Sequence, residues 1–104
     1  MDTDSLSNET YRAVILTAEM FNHDLTLHFG CLARDCEDDE DYLSNAEELI
    51  NYWLEEEEDI DVLMDDLFFG NPPKEKDFRN VLAEIQYNIN KVREIPIEKR
   101  TFEF

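Results

Sequence analysis

The sequence predicts an all-α fold, a small antiparallel bundle of three or four helices with an extended C-terminal tail. Apolar residues recur every three or four positions along most of the chain, which is the period of an α-helix. Glycine occurs twice and proline three times in 104 residues, too few for the many turns of a β fold. Because a chain of this length forms one domain, we expect a single acidic helical domain over residues 1–104, with flexible or extended ends at 1–7 and 95–104.

The first helix is predicted to begin near Asn8 and to run to Phe29 or beyond. Ser7 and Asn8 are candidate N-caps. Alternating apolar residues over 25–31 are typical of a strand, but the helical period continues through them and favours a helix. Gly30 either ends this helix, kinks it or lies inside it. The apolar stripe of the helix consists of Tyr11, Val14, Ile15, Ala18, Phe21, Leu25, Phe29 and Leu32.

The middle of the chain is strongly acidic. Residues 34–42, RDCEDDEDY, are predicted to form a loop because their carboxylates repel one another. Ser44 and Glu47 have the spacing of a capping box, which indicates a helix that begins at Asn45. Its apolar face consists of Ala46, Leu49, Ile50, Trp53 and Leu54, and Ile60, Leu63, Met64, Leu67 and Phe68 resume the same phase after residues 55–59. The shared phase favours one helix over 45–69 rather than two helices that break near Glu58.

The last helix has the clearest boundaries. The sequence GNPP at 70–73 is a strong stop signal for the preceding helix, and Pro73 suits the first turn of the next one. Pro96 ends that helix, and we expect the tail after it to lie extended across the bundle or to form one strand. The apolar stripe of the helix consists of Phe78, Val81, Leu82, Ile85, Ile89 and Val92.

The net charge of −18 is concentrated in one third of the chain. Residues 1–34 carry −3, residues 35–66 carry −16 with no basic residue, and residues 67–104 carry +1. Such a charge repels nucleic acids and anionic membranes, so we expect neither to bind directly, and a basic protein is the complementary partner. In a helix the segment would carry roughly one carboxylate per 3 Å, close to the spacing of about 3.4 Å between phosphates along one DNA strand. A solvated face, a surface for a basic partner and a nucleic-acid mimic all fit this pattern.

Two pairs of adjacent aromatic residues flank the acidic run. Trp53 and Phe68 share the phase of the core, which leaves Tyr52 and Phe69 as exposed rings. Aromatic anchors beside charged residues are common in protein interfaces, although both rings could instead cover the ends of a small core. The predicted partner-binding residues are Tyr52, Glu55, Glu56, Glu57, Glu58, Asp59 and Phe69.

The C-terminal tail also contains a basic pair, Lys99 and Arg100, close to Phe102 and Phe104. These residues could pack against the acidic face of the same molecule. The tail would then be a structural strap rather than a binding arm.

A metal-binding helical module is the alternative function. Asp24, His28, Cys31 and Asp35 are spaced so that they share one stripe of a continuous helix, and His, Cys and carboxylates bind zinc. The candidate ligands are His28, Cys31 and Asp35. However, the two cysteines are spaced C-x₄-C rather than the C-x₂-C of zinc ribbons, and polar surface residues with a half-buried cysteine explain the pattern more simply. A calcium-binding loop that starts at Asp35 would lack its glycine and its bidentate glutamate.

No catalytic motif is present: the sequence contains no P-loop, no dinucleotide-binding fingerprint and no nucleophile elbow. We therefore expect no enzymatic activity and no cofactor. The N-terminal MDTDSLSNET lacks the basic and apolar regions of a signal peptide, so a cytoplasmic location is expected. The sequence thus predicts a small acidic interaction module, an inhibitor or nucleic-acid mimic, that binds a basic partner through residues 35–66. A homodimeric structural domain is a further hypothesis.

Overall fold

Five helices and no strand occur in residues 1–56 and 59–102, the part of the chain that the computed structural model describes. This confirms the all-α class. The first helix is continuous over 8–21, and the helix over 39–51 continues as π-helical turns through residue 56. The elements are α1 (Asn8–Thr10, π-helical Tyr11–Leu16, Thr17–Phe21), α2 (His23–Leu32), α3 (Asp39–Asn51, π-helical Tyr52–Glu56), α4 (Ile60–Leu67), α5 (Glu75–Arg93) and the 3₁₀ turns Thr3–Ser5, Ala33–Asp35 and Ile97–Lys99.

The prediction of one continuous first helix is wrong, because the helix is interrupted at Asn22. This residue has an extended backbone (φ −165°, ψ 128°), and its side-chain oxygen accepts a hydrogen bond of 2.9 Å from the backbone N–H of Asp24. Asn22 therefore acts as the N-cap of α2, a position that asparagine favours. Gly30 lies inside α2, and the alternating residues at 25–31 are helical.

Replacement of Asn22 by alanine is expected to lower the free energy of unfolding by about 1 kcal/mol, because α2 loses its capping hydrogen bond. Urea denaturation followed by circular dichroism measures this change. Asn90→Ala is the matched control, since Asn90 is an exposed residue inside α5 and its loss should change the stability by about 0.5 kcal/mol or less. Equal stabilities of the two variants would contradict the capping role.

The predicted loop at 34–42 is shorter than expected, because α3 begins at Asp39 rather than at Asn45. The side chain of Asp38 caps the helix and accepts a hydrogen bond of 2.8 Å from the backbone N–H of Asp41. Carboxylates in the first turn interact favourably with the positive end of the helix dipole, which offsets their mutual repulsion. Ser44 consequently lies inside the helix and does not cap it.

The single helix predicted over 45–69 is also wrong. Asp59 has a non-helical backbone (φ −122°, ψ 81°), and its carboxylate accepts a hydrogen bond of 3.3 Å from the backbone N–H of Val62. Asp59 is thus the N-cap of a separate helix, α4, and this break together with the one at Asn22 explains why five helices are found. Glu58, where the sequence placed the alternative break, lies outside the described residues.

The stop after α4 is confirmed. Phe69 and Gly70 have positive φ angles of 53° and 79°, and the N–H of Gly70 donates to the carbonyl of Asp65 at 2.8 Å. Glycine adopts a positive φ readily, whereas a positive φ is strained for a bulky residue such as phenylalanine. Helix α5 begins at Glu75, close to the position predicted from Pro73.

The core is built around α5. All six residues of the stripe predicted for this helix are buried. Each helix, or the residue that follows it, also contributes one ring to a chain of aromatic contacts. The centroid distances are 6.4 Å for Phe21–Phe68, 5.6 Å for Phe68–Phe78, 6.0 Å for Phe78–Trp53 and 5.9 Å for Trp53–Phe29.

Polar contacts fix the helices around this core. The guanidinium of Arg93 pairs with the carboxylate of Glu47 at 2.7 Å, which joins α5 to α3. The side chains of Gln86 and Asn51 form a second contact along the same seam. The buried hydroxyl of Tyr42 donates to the carbonyl of Phe29 at 2.8 Å and joins α3 to α2; burial raises the pKa of this phenol far above its ordinary value.

Hydrogen bonds hold Met1 and Thr101, which lie in the two segments that were expected to be flexible or extended. The amino group of Met1 donates to the carbonyls of Ala33 and Cys36 at 3.1 and 3.0 Å. The backbone N–H of Asn8 donates to the carbonyl of Thr101 at 2.7 Å. These bonds satisfy backbone groups that a packed chain would otherwise leave without partners. Within the described part of the chain, no helix combines the length and apolar character needed to cross a bilayer.

Candidate functional site

Residues 35–66, here called the acidic segment, extend from the turn after α2 through α3 and α4. Most of their described carboxylates lie on the surface, whereas Asp39 is buried. The exposed ones are Asp35, Glu37, Asp38, Glu40, Glu48, Glu55, Asp59, Asp61, Asp65 and Asp66.

Basic side chains neutralise only part of the acidic segment. Arg100 pairs with Asp39 at 3.0 Å and also contacts Glu40, and Arg93 pairs with Glu47. Among residues 1–56 and 59–102, no cationic side chain is within ion-pairing distance of Asp35, Glu37, Asp38, Glu48, Glu55, Asp61, Asp65 or Asp66. The acidic segment therefore presents uncompensated negative charge to the solvent.

Two aromatic rings are exposed beside these carboxylates, as the sequence predicted. Tyr52 is 48% and Phe69 69% exposed, whereas their neighbours Trp53 and Phe68 are buried. The two buried rings both contact Phe78, so each exposed ring is carried by a backbone that is fixed to the core. The strained φ of Phe69 is another sign of a specialised position, since backbone strain is concentrated at functional sites.

The predicted partner-binding residues occupy the end of α3 and the two ends of α4. Tyr52 and Glu55 lie on the π-helical continuation of α3. Asp59 caps the start of α4, and Phe69 follows its end. The structure does not describe Glu57, Glu58 or the side chain of Glu56, so the prediction for them lies outside the described residues.

The buried polar cluster around Asp39 was not predicted from the sequence. One carboxylate oxygen of Asp39 accepts from the backbone N–H of Ser7 at 2.8 Å. The other accepts from the hydroxyls of Ser7 and Thr10 at 2.9 and 2.8 Å and from the guanidinium of Arg100 at 3.0 Å. All four residues are buried. The cluster joins the N-terminal segment, α3 and the C-terminal tail.

Arg100 thus makes the tail a structural strap, one of the two roles considered for it. Its Nε also donates to the carbonyl of Ile95 at 3.0 Å. Lys99 and Phe102 are exposed, and Phe104 lies outside the described residues. The strap is attached to the first turn of α3.

The candidate metal ligands do not converge. His28 donates through Nε2 to the carbonyl of Leu67 at 3.2 Å, whereas Cys31 and Asp35 are exposed. In the described part of the chain, no three His, Cys, Asp or Glu side chains are placed to hold a metal ion. Burial raises the pKa of the Cys36 thiol, which disfavours the thiolate that a metal would bind. Nothing in residues 1–56 and 59–102 favours the metal-binding hypothesis.

Comparisons with models of protein families, with curated proteins and with solved structures found no match to this chain.

Proposed function

We propose that this protein binds a basic protein partner through its acidic segment and thereby occupies the surface with which that partner holds its own anionic ligand. The observation that supports the proposal is the set of exposed carboxylates without a cationic neighbour among the described residues. Carboxylates that make no intramolecular ion pair retain their charge for an incoming cation. The proposal keeps the cytoplasmic location expected from the sequence.

Charge would act mainly on the rate and the selectivity of binding. A face of one sign attracts an oppositely charged partner over a distance of about a Debye length and repels competitors of its own sign. The exposed rings of Tyr52 and Phe69 would then provide apolar contacts within the interface, since buried aromatic residues contribute much of the affinity of protein complexes.

The protein's own cations leave this surface accessible. Arg93 and Arg100 are used at the α3–α5 seam and in the Asp39 cluster. Arg79 pairs with Glu75 at 2.9 Å and donates to the carbonyl of Leu54 at 3.5 Å. A cationic partner therefore would not have to displace these side chains from the carboxylates of α4.

Two variants of equal net charge test the proposal in an affinity capture from host lysate. The acidic-segment variant combines Glu48→Gln, Glu55→Gln, Asp61→Asn, Asp65→Asn and Asp66→Asn. The matched variant combines Asp2→Asn, Asp4→Asn, Glu19→Gln, Glu94→Gln and Glu98→Gln, which are exposed carboxylates elsewhere on the protein. We expect the wild type and the matched variant to retain the same basic protein at low salt and to release it at high salt.

The acidic-segment variant is expected to lose that protein. Mass spectrometry of the three eluates measures the difference. Equal recovery from the two variants would contradict the proposal, because net charge or non-specific adsorption would then explain the capture.

A further inference from the structure

A groove between α1 and α5 lies outside the surface that the proposed function uses. At one end it widens into a cavity of about 480 Å³. Phe21 and Val81 provide its apolar lining, Met20 lies beside them, and Asp77 and Glu84 are its acidic residues. This end of the groove is therefore apolar within and negative at its rim.

The other end of the groove has the opposite charge. It widens into a cavity of about 340 Å³, where Ala13 and Val92 provide the apolar lining and Arg12 and Lys91 are the basic residues. The carboxylate of Glu9 also lies here, but it accepts hydrogen bonds of 3.0 Å from the backbone N–H of Thr101. This carboxylate keeps its negative charge, and Lys91 lies 3.9 Å from the carboxylate of Glu94 and over the ring of Tyr87. With two cations and one carboxylate among its lining residues, this end still has a net positive charge.

The side chain of Asn88 marks the middle of the groove. Its amide donates to the carbonyl of Ala13 and to the hydroxyl of Thr17, both at 3.2 Å. These bonds place the middle of α1 and residue 88 of α5 at the same level. Each helix presents an exposed apolar side chain close to that level: Leu16 is 41% and Tyr87 61% exposed.

Each helix has a further groove residue about one turn from this level on either side. On α1, Leu16 lies one turn from Arg12 and one turn from Met20, which is 88% exposed. On α5, Tyr87 lies between Glu84 and Lys91. A two-fold rotation about the middle of the groove would bring the acidic end of one copy onto the basic end of another, as an isologous interface requires.

The net charge of the two helices also favours a second copy as the occupant. Residues 8–21 and 75–93 together contain five acidic and five basic side chains, whereas the whole chain carries −18. Two copies of a strongly acidic protein approach each other with least repulsion through neutral surfaces. A basic partner, by contrast, is attracted to the acidic segment.

We propose that the α1–α5 groove is the interface of an antiparallel two-fold homodimer. Leu16 and Tyr87 pack against their counterparts near the axis, and Met20 of each copy lies over Arg12 of the other copy. Glu84 of each copy pairs with Lys91 of the other copy, and the mixed charges fix the register. Because α3 contacts α5 along a different seam, through Arg93 and Gln86, the dimer leaves the acidic segment of each copy free for the proposed function.

Variants that exchange the charges at positions 84 and 91 test this arrangement. Sedimentation equilibrium over a range of protein concentrations measures how strongly each variant dimerises. We expect a concentration-dependent dimer for the wild type. Glu84→Lys and Lys91→Glu should each weaken it by about tenfold or more, because each variant places like charges opposite one another twice. An equimolar mixture of the two variants should restore the dimer, because every such contact then joins opposite charges.

Two further variants test whether the groove is the dimer interface. Leu16→Glu should weaken the dimer of the wild type, since it buries two like charges opposite each other near the axis. Glu98→Lys, which changes an exposed charge away from the groove, should leave the association unchanged. All these positions are on the surface, and circular dichroism verifies that each variant is folded.

Several results would overturn the proposal. A wild-type protein that stays monomeric up to about 1 mM, where even a weak dimer would form, has no such interface. Single variants that dimerise like the wild type, or weakened variants that do not recover when mixed, contradict the two-fold arrangement. None of these outcomes bears on capture of a basic partner by the acidic segment, so the two proposals can fail separately.

Discussion

Replacement of Arg100 by alanine is expected to lower the free energy of unfolding by about 3–5 kcal/mol, the range found when one partner of a buried ion pair is removed. The carboxylate of Asp39 would stay buried without its counterion and would keep only its hydrogen bonds from Ser7 and Thr10. A domain of this size is stabilised by about 5–15 kcal/mol in total, so the variant should be close to unfolding at 37 °C.

Urea denaturation measures this loss, with Lys99→Ala as the matched control. Lys99 is the exposed neighbour of Arg100, so its replacement should change the stability by about 0.5 kcal/mol or less. Arg100→Lys retains the charge but not the planar fork that reaches both Asp39 and the carbonyl of Ile95, and should have an intermediate stability. If Arg100→Ala is as stable as the control, the tail does not act as a strap.

Replacement of Phe78 by alanine is expected to be comparably destabilising, by about 3–5 kcal/mol. Phe78 is completely buried, and its ring contacts both Trp53 and Phe68. Its loss would leave a cavity at the point where the rings carried by α3, α4 and α5 meet, and would remove two aromatic contacts as well.

The matched control for Phe78 is Tyr52→Ala. Tyr52 is an aromatic residue with 48% of its surface exposed, so a change of about 0.5 kcal/mol or less is expected. Urea denaturation compares the two variants, and the emission of Trp53, the only tryptophan, reports on the packing next to the cavity. A loss below about 1 kcal/mol for Phe78→Ala would mean that the core collapses around the missing ring.

Helix α5 could be predicted from the sequence almost completely. Its apolar stripe has a single period, and the prolines around it indicate both of its boundaries. The breaks at Asn22 and Asp59 could not be predicted in this way, because the apolar phase continues across each of them. A capping asparagine or aspartate in the middle of a periodic pattern looks like an ordinary surface residue until its backbone conformation is known.

The candidate site likewise has features that could be predicted from the sequence and features that could not. The exposure of Tyr52 follows from helical phase, which is a local property of the sequence, and Phe69 is exposed in the turn after α4. The burial of Asp39 does not: its partners Thr10 and Arg100 are 29 and 61 residues away along the chain, and within RDCEDDEDY it is one carboxylate among six. The groove between α1 and α5 likewise depends on how two distant helices pack.

The salt dependence of partner binding shows whether the acidic segment is the binding surface. Isothermal titration calorimetry of the captured basic protein with the wild type, the acidic-segment variant and the matched variant, at low and high salt, provides the comparison. We predict that the wild type and the matched variant bind equally and weaken together as salt is added. The acidic-segment variant should bind about tenfold or more weakly at low salt and respond less to salt. Equal affinities and equal salt dependence for all three proteins would contradict the claim that the acidic segment is the binding surface.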